Sequence, residues 1–282
     1  MKYIYTIIIS VLAPIAAMAQ QVIYEKEDST RIEEILRHIS QEKRADTGEL
    51  LISIANKFTG EKYVGATLEQ GIGEPMFISC SKLDCTTFVE LVLAIARTAD
   101  EGCTGFNDVC RNLERLRYRN GKNEGYTSRL HYISWWITDK AKEGLIEEIT
   151  PQISNHEQLL NLYFMSSNAD KYPLLSNHPE LIEEIEKQEM PYRNIKVNYV
   201  PKETISPTGG SGIKNGDIIA ITTSTPGLDV THIGFACYSD GELRLLHASS
   251  GKGTVLKETE SLRNYLAGKK RHTGIRVFRA QF

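Results

Sequence analysis

The chain has 282 residues, with 33 Lys and Arg against 36 Asp and Glu for a formal charge of −3. That length accommodates one large domain or two small ones, and 41% hydrophobic with 24% charged residues is a globular composition, far from the disordered range. The near-neutral balance excludes a sequence-independent nucleic-acid binder, and nine prolines with 21 glycines are too few for a collagenous or low-complexity chain.

Residues 1–19 read MKYIYTIIISVLAPIAAMA. Lys2 supplies a positive start, Ile7 to Ala17 an apolar stretch, and Ala17-Met18-Ala19 a small-x-small cleavage site, the pattern of a signal peptide. The apolar run is short for a bilayer span of about 20 residues and is broken by Pro14. The sequence thus predicts a leader over 1–19 and a single domain over 20–282. The product is expected to be exported, periplasmic or secreted, with no stable membrane insertion once the leader is cut.

From Ser29 to about Phe58 apolar residues recur at helical spacing: Ile32, Ile35, Leu36 and Ile39, then Leu50, Leu51, Ile54 and Ala55. Gly60 to Gly65 breaks the pattern, and a loop runs to Lys82. The stretch Phe88 to Ala96 is apolar almost all round apart from Glu90, which predicts a buried central helix capped by Asp84. Two further helices are expected around Asp108–Leu116 and Arg129–Lys142. Residues 145–200 are polar, are interrupted by Pro151, Pro173, Pro179 and Pro191, and read as an irregular insertion in the same domain.

From Asn215 the period changes to two. Strands are expected at Asp217–Thr222, Thr231–Tyr238, Glu242–Ala248, Gly253–Lys257 and Gly274–Arg279, with a hairpin turn at Ser239-Asp240-Gly241 and a short helix near Ser261–Leu266. Helices first and an antiparallel sheet second predict an α+β fold.

Five cysteines are present: Cys80, Cys85, Cys103, Cys110 and Cys237. An oxidising compartment permits disulfides, with Cys103 and Cys110 as one pair, while Cys237 reads as a small buried residue of a strand. No C-x-x-C pair or His-Glu-x-x-His motif occurs, so neither a metal nor a cofactor is expected.

Cys85 falls in the first turn of the helix that Asp84 would cap. Unpaired backbone N–H groups and the helix dipole favour an anion there, which lowers a thiol pKa. A buried, inert cysteine is the equal alternative on position alone. A thiolate also needs a base. His232, Gly234 and Ala236 share one strand face, and the small residues leave room for another element, a helix N-terminus being the natural one. His247 lies near the end of the next strand, where a tight turn can set it beside His232. Nucleophile, base and base-orienting group together make a cysteine triad. Either histidine alone is more often structural.

His38, His156, His178 and His272 sit in polar segments. His131, within Arg129-Leu130-His131-Tyr132, has two readings. One is an amphipathic helix burying Tyr132 and Trp136. The other is a substrate contact in which a sugar stacks on an aromatic ring and Arg129 meets a carboxylate.

Asp84-Cys85-Thr86-Thr87-Phe88-Val89, then Thr231-His232-Ile233-Gly234, then Leu246-His247-Ala248, resemble the NlpC family of papain-like bacterial cell-wall hydrolases. Gly60-Glu61-Lys62-Tyr63-Val64-Gly65 matches that family's upstream tyrosine. The resemblance implies a papain-like fold, with the nucleophile at a buried helix N-terminus packed on a small antiparallel sheet. It implies Cys85 as nucleophile, His232 as base and His247 as the group orienting the imidazole. Tyr63, Asp84 and Thr86 would be polar groups at the site, joined by Arg129 and His131.

The common pattern of the family is Asp-Cys-Ser-Gly. Asp84-Cys85-Thr86-Thr87 departs from it and, with Gly227 to His232, is similar to an N-acetylmuramoyl-L-alanine amidase-like branch. That implies cleavage of the lactyl–L-Ala amide of muropeptides, 1,6-anhydro forms among them; a monomer is favoured, although the sequence itself gives no oligomeric state. Two alternatives stay open: a γ-D-glutamyl–diamino acid endopeptidase, and a non-catalytic muropeptide-binding protein.

Overall fold

A computed structural model describes residues 22–41, 46–69, 74–210 and 212–282; the expected leader lies outside the described residues. Helices α1 (Lys26–Ile39) and α2 (Thr47–Asn56) bury the apolar stripes that their spacing marked. Short strands β1 (Lys62–Tyr63) and β2 (Lys82–Leu83) pair in parallel and lead into α3 (Cys85–Asp100). Every residue of α3 from Thr87 to Ala96 is buried, as expected of a central helix. Its one charged core residue, Glu90, accepts a hydrogen bond at 2.7 Å from Arg117 of α4 (Phe106–Arg117).

Helix α5 (Ile133–Lys142) begins four residues later than the expected Arg129 start. The cause is distant in sequence: Asp229 accepts the Ser134 backbone N–H at 2.7 Å and so sets the first turn. Arg129 and Tyr132 have extended backbone, and Arg129 bridges to Tyr118. Tyr132 and Trp136 are buried.

The segment 145–200 is more regular than its composition implied. β3 (Ile146–Glu148) joins the main sheet, Glu157–Leu160 pairs with Ile195–Asn198, and α6 is Pro179–Glu189. Pro151 and Pro179 stand in first helical turns, where a missing N–H costs nothing, so they start helices rather than interrupt them. Leu160, Leu162, Met165, Leu175 and Ile185 enter the same core as α3.

The remaining strands are β4 (Val200–Pro201), β5 (Ile218–Thr223), β6 (Val230–Ser239), β7 (Glu242–Ser249), β8 (Thr254–Lys257) and β9 (His272–Ala280), with α7 (Leu262–Ala267) before the last. They complete a nine-stranded sheet in the order β2-β1-β8-β7-β6-β5-β9-β3, with β4 also on β9. Asp240 and Gly241 both have positive φ, which suits the tight β6–β7 hairpin. The architecture is α+β. Alternation along β5 sends Ile218 and Ala220 to the core under α3, and Ile219 and Ile221 to a second core with Leu243, Leu245, Leu262 and Leu266. All five cysteines are unpaired, Cys103 and Cys110 included, and Cys237 is buried. No described helix is long and apolar enough to cross a membrane.

Candidate active site

Asp84 caps α3 as the sequence predicts, and Thr87 completes the cap. Asp84 Oδ1 accepts from the Thr87 N–H at 2.8 Å and from its hydroxyl at 2.9 Å, while Thr87 Oγ1 accepts the Asp84 N–H at 2.9 Å. This reciprocal pair is a capping box, and it gives Thr87 a structural reason that a glycine there would not supply. Cys85 therefore stands on the first turn, half-buried, with the Thr86 hydroxyl 4.0 Å from its sulfur. The backbone N–H of Ile233, next to His232, also faces that sulfur.

Helix position alone argued for a lowered thiol pKa; the structure corrects this. Burial, with the Asp84 carboxylate alongside, pushes Cys85 up to about 11, and the hydrogen bonds from Ile233 and Thr86 offset only part of it. Tyr63, half-buried on β1, is pushed up to about 12 by burial and by the nearby charges of Cys85 and Asp84.

His232 and His247 are brought together as the hairpin predicted. His232 Nε2 and His247 Nδ1 lie 2.5 Å apart, with the rings edge-on. The small residues beside His232 also make room for a neighbour that the sequence reading did not name. Phe88 of α3 packs edge-on against Phe235 of β6, and the Ile233 N–H of the same strand faces the Cys85 sulfur. A Cβ at Gly234 would stand 2.8 Å from the His247 Cβ; the glycine makes room for the second imidazole. Helix α7 also approaches, and its Tyr265 ring meets His247 edge-on at 5.6 Å. A β-bulge between Val230 and His232 makes Thr231 the extra residue, a distortion that re-aims side chains beside it.

Behind His247 lies a residue that the sequence reading missed. Glu258, buried just after β8, accepts from His247 Nε2 at 3.0 Å. A carboxylate only accepts, so Nε2 of His247 carries the hydrogen. Burial lowers the His247 pKa, which leaves the ring neutral and its Nδ1 bare. Nδ1 must then accept from His232 Nε2–H, so the lone pair of His232 sits on Nδ1. Burial, helped by His247, His272 and Lys269, holds His232 down to about 3. The relay Glu258–His247–His232 thus presents a neutral imidazole with one bare nitrogen. The only sequence signal for Glu258 was an acid shortly after the strand that pairs with His247.

Beside Cys85 opens a cavity of about 190 Å³ lined by Asp84, Thr86, Glu90, Arg129, His131 and Tyr172, among others. Arg129 is present, but its guanidinium is held by carboxylates of the protein, Glu69 at 2.6 Å and Glu74 at 2.9 Å. His131 shares its Nε2 with the Tyr126 carbonyl at 2.8 Å, and burial with Arg129 nearby holds its pKa well down. Met165 and Tyr172, from the 145–200 segment, form part of the wall. Among the described residues no group of three His, Cys, Asp or Glu is arranged to hold a metal ion.

The model of a family described as N-acetylmuramoyl-L-alanine amidase-like matches residues 53–275. The chain belongs to this family. Among solved structures, an N-acetylmuramoyl-L-alanine amidase from Bacteroides uniformis is 40% identical with a TM-score of 0.81, covering 84% of this chain and 99% of that one. A Bacteroides fragilis protein with a suggested xylanase activity is 45% identical with a TM-score of 0.77, covering 80% and 99%. A Legionella pneumophila protein at 22% identity shares the fold, with a TM-score of 0.69 over 90% and 94%. No curated protein matches. In this amidase-like member Gly227 and Asp229, upstream of His232, hold neighbouring elements together. The Gly227 carbonyl accepts from Tyr163 and Phe164, and Asp229 ties α5 to β6.

Proposed function

We propose that the chain is a cysteine-dependent N-acetylmuramoyl-L-alanine amidase, which hydrolyses the amide between the lactyl group of N-acetylmuramic acid and L-Ala in soluble muropeptides. The observation that carries the reading is the relay Glu258–His247–His232, on a strand whose Ile233 N–H faces the Cys85 sulfur. In the first half-reaction His232 Nδ1 takes the Cys85 proton as the sulfur attacks the lactyl carbonyl. The Cys85 backbone N–H, unpaired in the first helical turn, donates to the oxyanion. His232 then protonates the departing L-Ala amine, leaving a thioester. In the second, His232 draws a proton from water, which attacks the thioester and returns the thiol. Positive charge that develops on His232 is relayed through His247 toward Glu258. Tyr63 and Thr86 are polar groups available to the substrate beside the sulfur. Export after removal of residues 1–19, and a single catalytic domain acting as a monomer, belong to the same proposal.

A glycosidase would need two free carboxyl groups flanking a sugar bond. In the cavity, Glu69 and Glu90 are engaged by arginines and Asp84 by its capping box. The chemistry of the site therefore favours the amidase over the xylanase activity suggested for its relative. The test is mass spectrometry of a disaccharide tetrapeptide, with and without the anhydro ring, after incubation with the enzyme or with Cys85→Ala. Release of intact tetrapeptide by the wild type alone is expected. A sugar product that retains L-Ala-D-Glu would overturn the assignment in favour of an endopeptidase.

A further inference from the structure

A second cavity, of about 270 Å³, opens at the His247 end of the site, whereas the first opens at the Cys85 end. It is lined by Ser249, Lys252, Glu258, Glu260, Tyr265 and Lys269, among others. Lys252 Nζ stands 3.4 Å from Glu258 Oε2, and that oxygen accepts no hydrogen bond although Glu258 is buried. Lys269 Nζ lies 5.5 Å from the centre of the Tyr265 ring, which in turn meets His247. Both lysines are exposed.

The two cavities differ in charge. The first contains the carboxylates of Glu69, Asp84 and Glu90, and its guanidinium, Arg129, is already bound by acids of the protein. It offers an anion no free cation and suits a neutral, hydroxyl-rich sugar. The second is lined by two ammonium groups and two carboxylates, Glu258 and Glu260; Lys252 leans on Glu258 at 3.4 Å, while Lys269 lies over the Tyr265 ring and is the cation more open to a ligand. The substrate has the same asymmetry, because the sugar is neutral and the peptide stem carries carboxylates. The direction of the reaction agrees: His232 hands its proton to the departing L-Ala amine, so the stem leaves past the imidazoles.

We propose that the cavity at Lys252 and Lys269 is the subsite for the leaving peptide stem, where the two ammonium groups hold a stem carboxylate. The inference rests on the amidase reading. Its test is steady-state kinetics of Lys252→Met and Lys269→Met on the disaccharide tetrapeptide and on forms with the α-carboxylate of D-Glu, or the terminal carboxylate of D-Ala, converted to an amide. On the free-acid substrate each variant should raise KM by about five- to tenfold, and Lys269→Met, which touches no relay residue, should do so with little change in kcat, the pattern of lost uniform binding by a partly solvated charge. Amidation of the carboxylate that binds should raise the wild-type KM to the same level and abolish the effect of both variants, which also identifies that carboxylate. Lys252→Arg should retain binding. Lys269 makes no hydrogen bond to the relay, so its variant separates binding from disturbance of Glu258. Equal losses on every form, or none on any, would overturn the subsite. Failure of the wild type to release any stem would instead overturn the amidase reading, and the subsite with it.

Discussion

Burial acts in opposite directions on the two groups of the proposed catalytic pair, raising the Cys85 thiol and lowering the His232 imidazole. In the proposed mechanism the resting pair is therefore thiol and neutral imidazole, and the proton moves as the sulfur attacks. As pH falls, rate is lost when His232 takes up a proton, and its lowered pKa puts that loss well below the ordinary histidine range. kcat/KM should accordingly stay level from about pH 5 to pH 9, whereas a free-histidine base would bring an acid limb near 6.5. A pH–rate profile decides between them. Glu258 has its effect through His247, which it orients by a single hydrogen bond. Glu258→Gln keeps the shape and removes the charge, so kcat should fall about 10- to 100-fold with KM nearly unchanged. A drop in KM affinity with kcat intact would mean that Glu258 serves binding instead.

Among the elements, α3 carries Cys85, the proposed nucleophile, and is anchored from inside. Glu90 and Arg117 are both buried, and Arg117 also donates to the Phe77 carbonyl at 2.8 Å. Removing one partner leaves the other charge buried alone, at a cost of about 3–5 kcal/mol. Glu90→Gln and Arg117→Met should each lower the urea midpoint accordingly, while the double replacement Glu90→Leu with Arg117→Met should recover much of the loss. Full stability of either single variant would show that the pair does not anchor the helix. Much of this element was legible in sequence, since its capping residue, its apolar run and the lone Glu90 are adjacent in the chain. The two histidines were legible too, because one hairpin joins their strands. What escaped depends on long-range pairing. The start of α5 is set by Asp229, 95 residues after Ser134. Glu258 reaches His247 only because β8 folds back on β7. The regularity of the 145–200 segment was hidden by prolines that composition alone cannot assign to helix starts.

For the molecule as a whole, two apolar cores on opposite faces of the sheet provide the stability, and no pair of cysteines is bridged. Burial also raises the other hidden thiols. It pushes Cys80 up to about 12 with Asp28 beside it, and Cys110 up to about 11. At neutral pH a thiol near 11 is ionised in about one molecule in ten thousand, and thiolate is the form that alkylating agents and peroxide attack. The consequence for Cys85 is latency. A protein with so reluctant a thiol should lose activity to peroxide or iodoacetamide more slowly than hydrolases holding a ready-made thiolate, which a time course of inactivation checks.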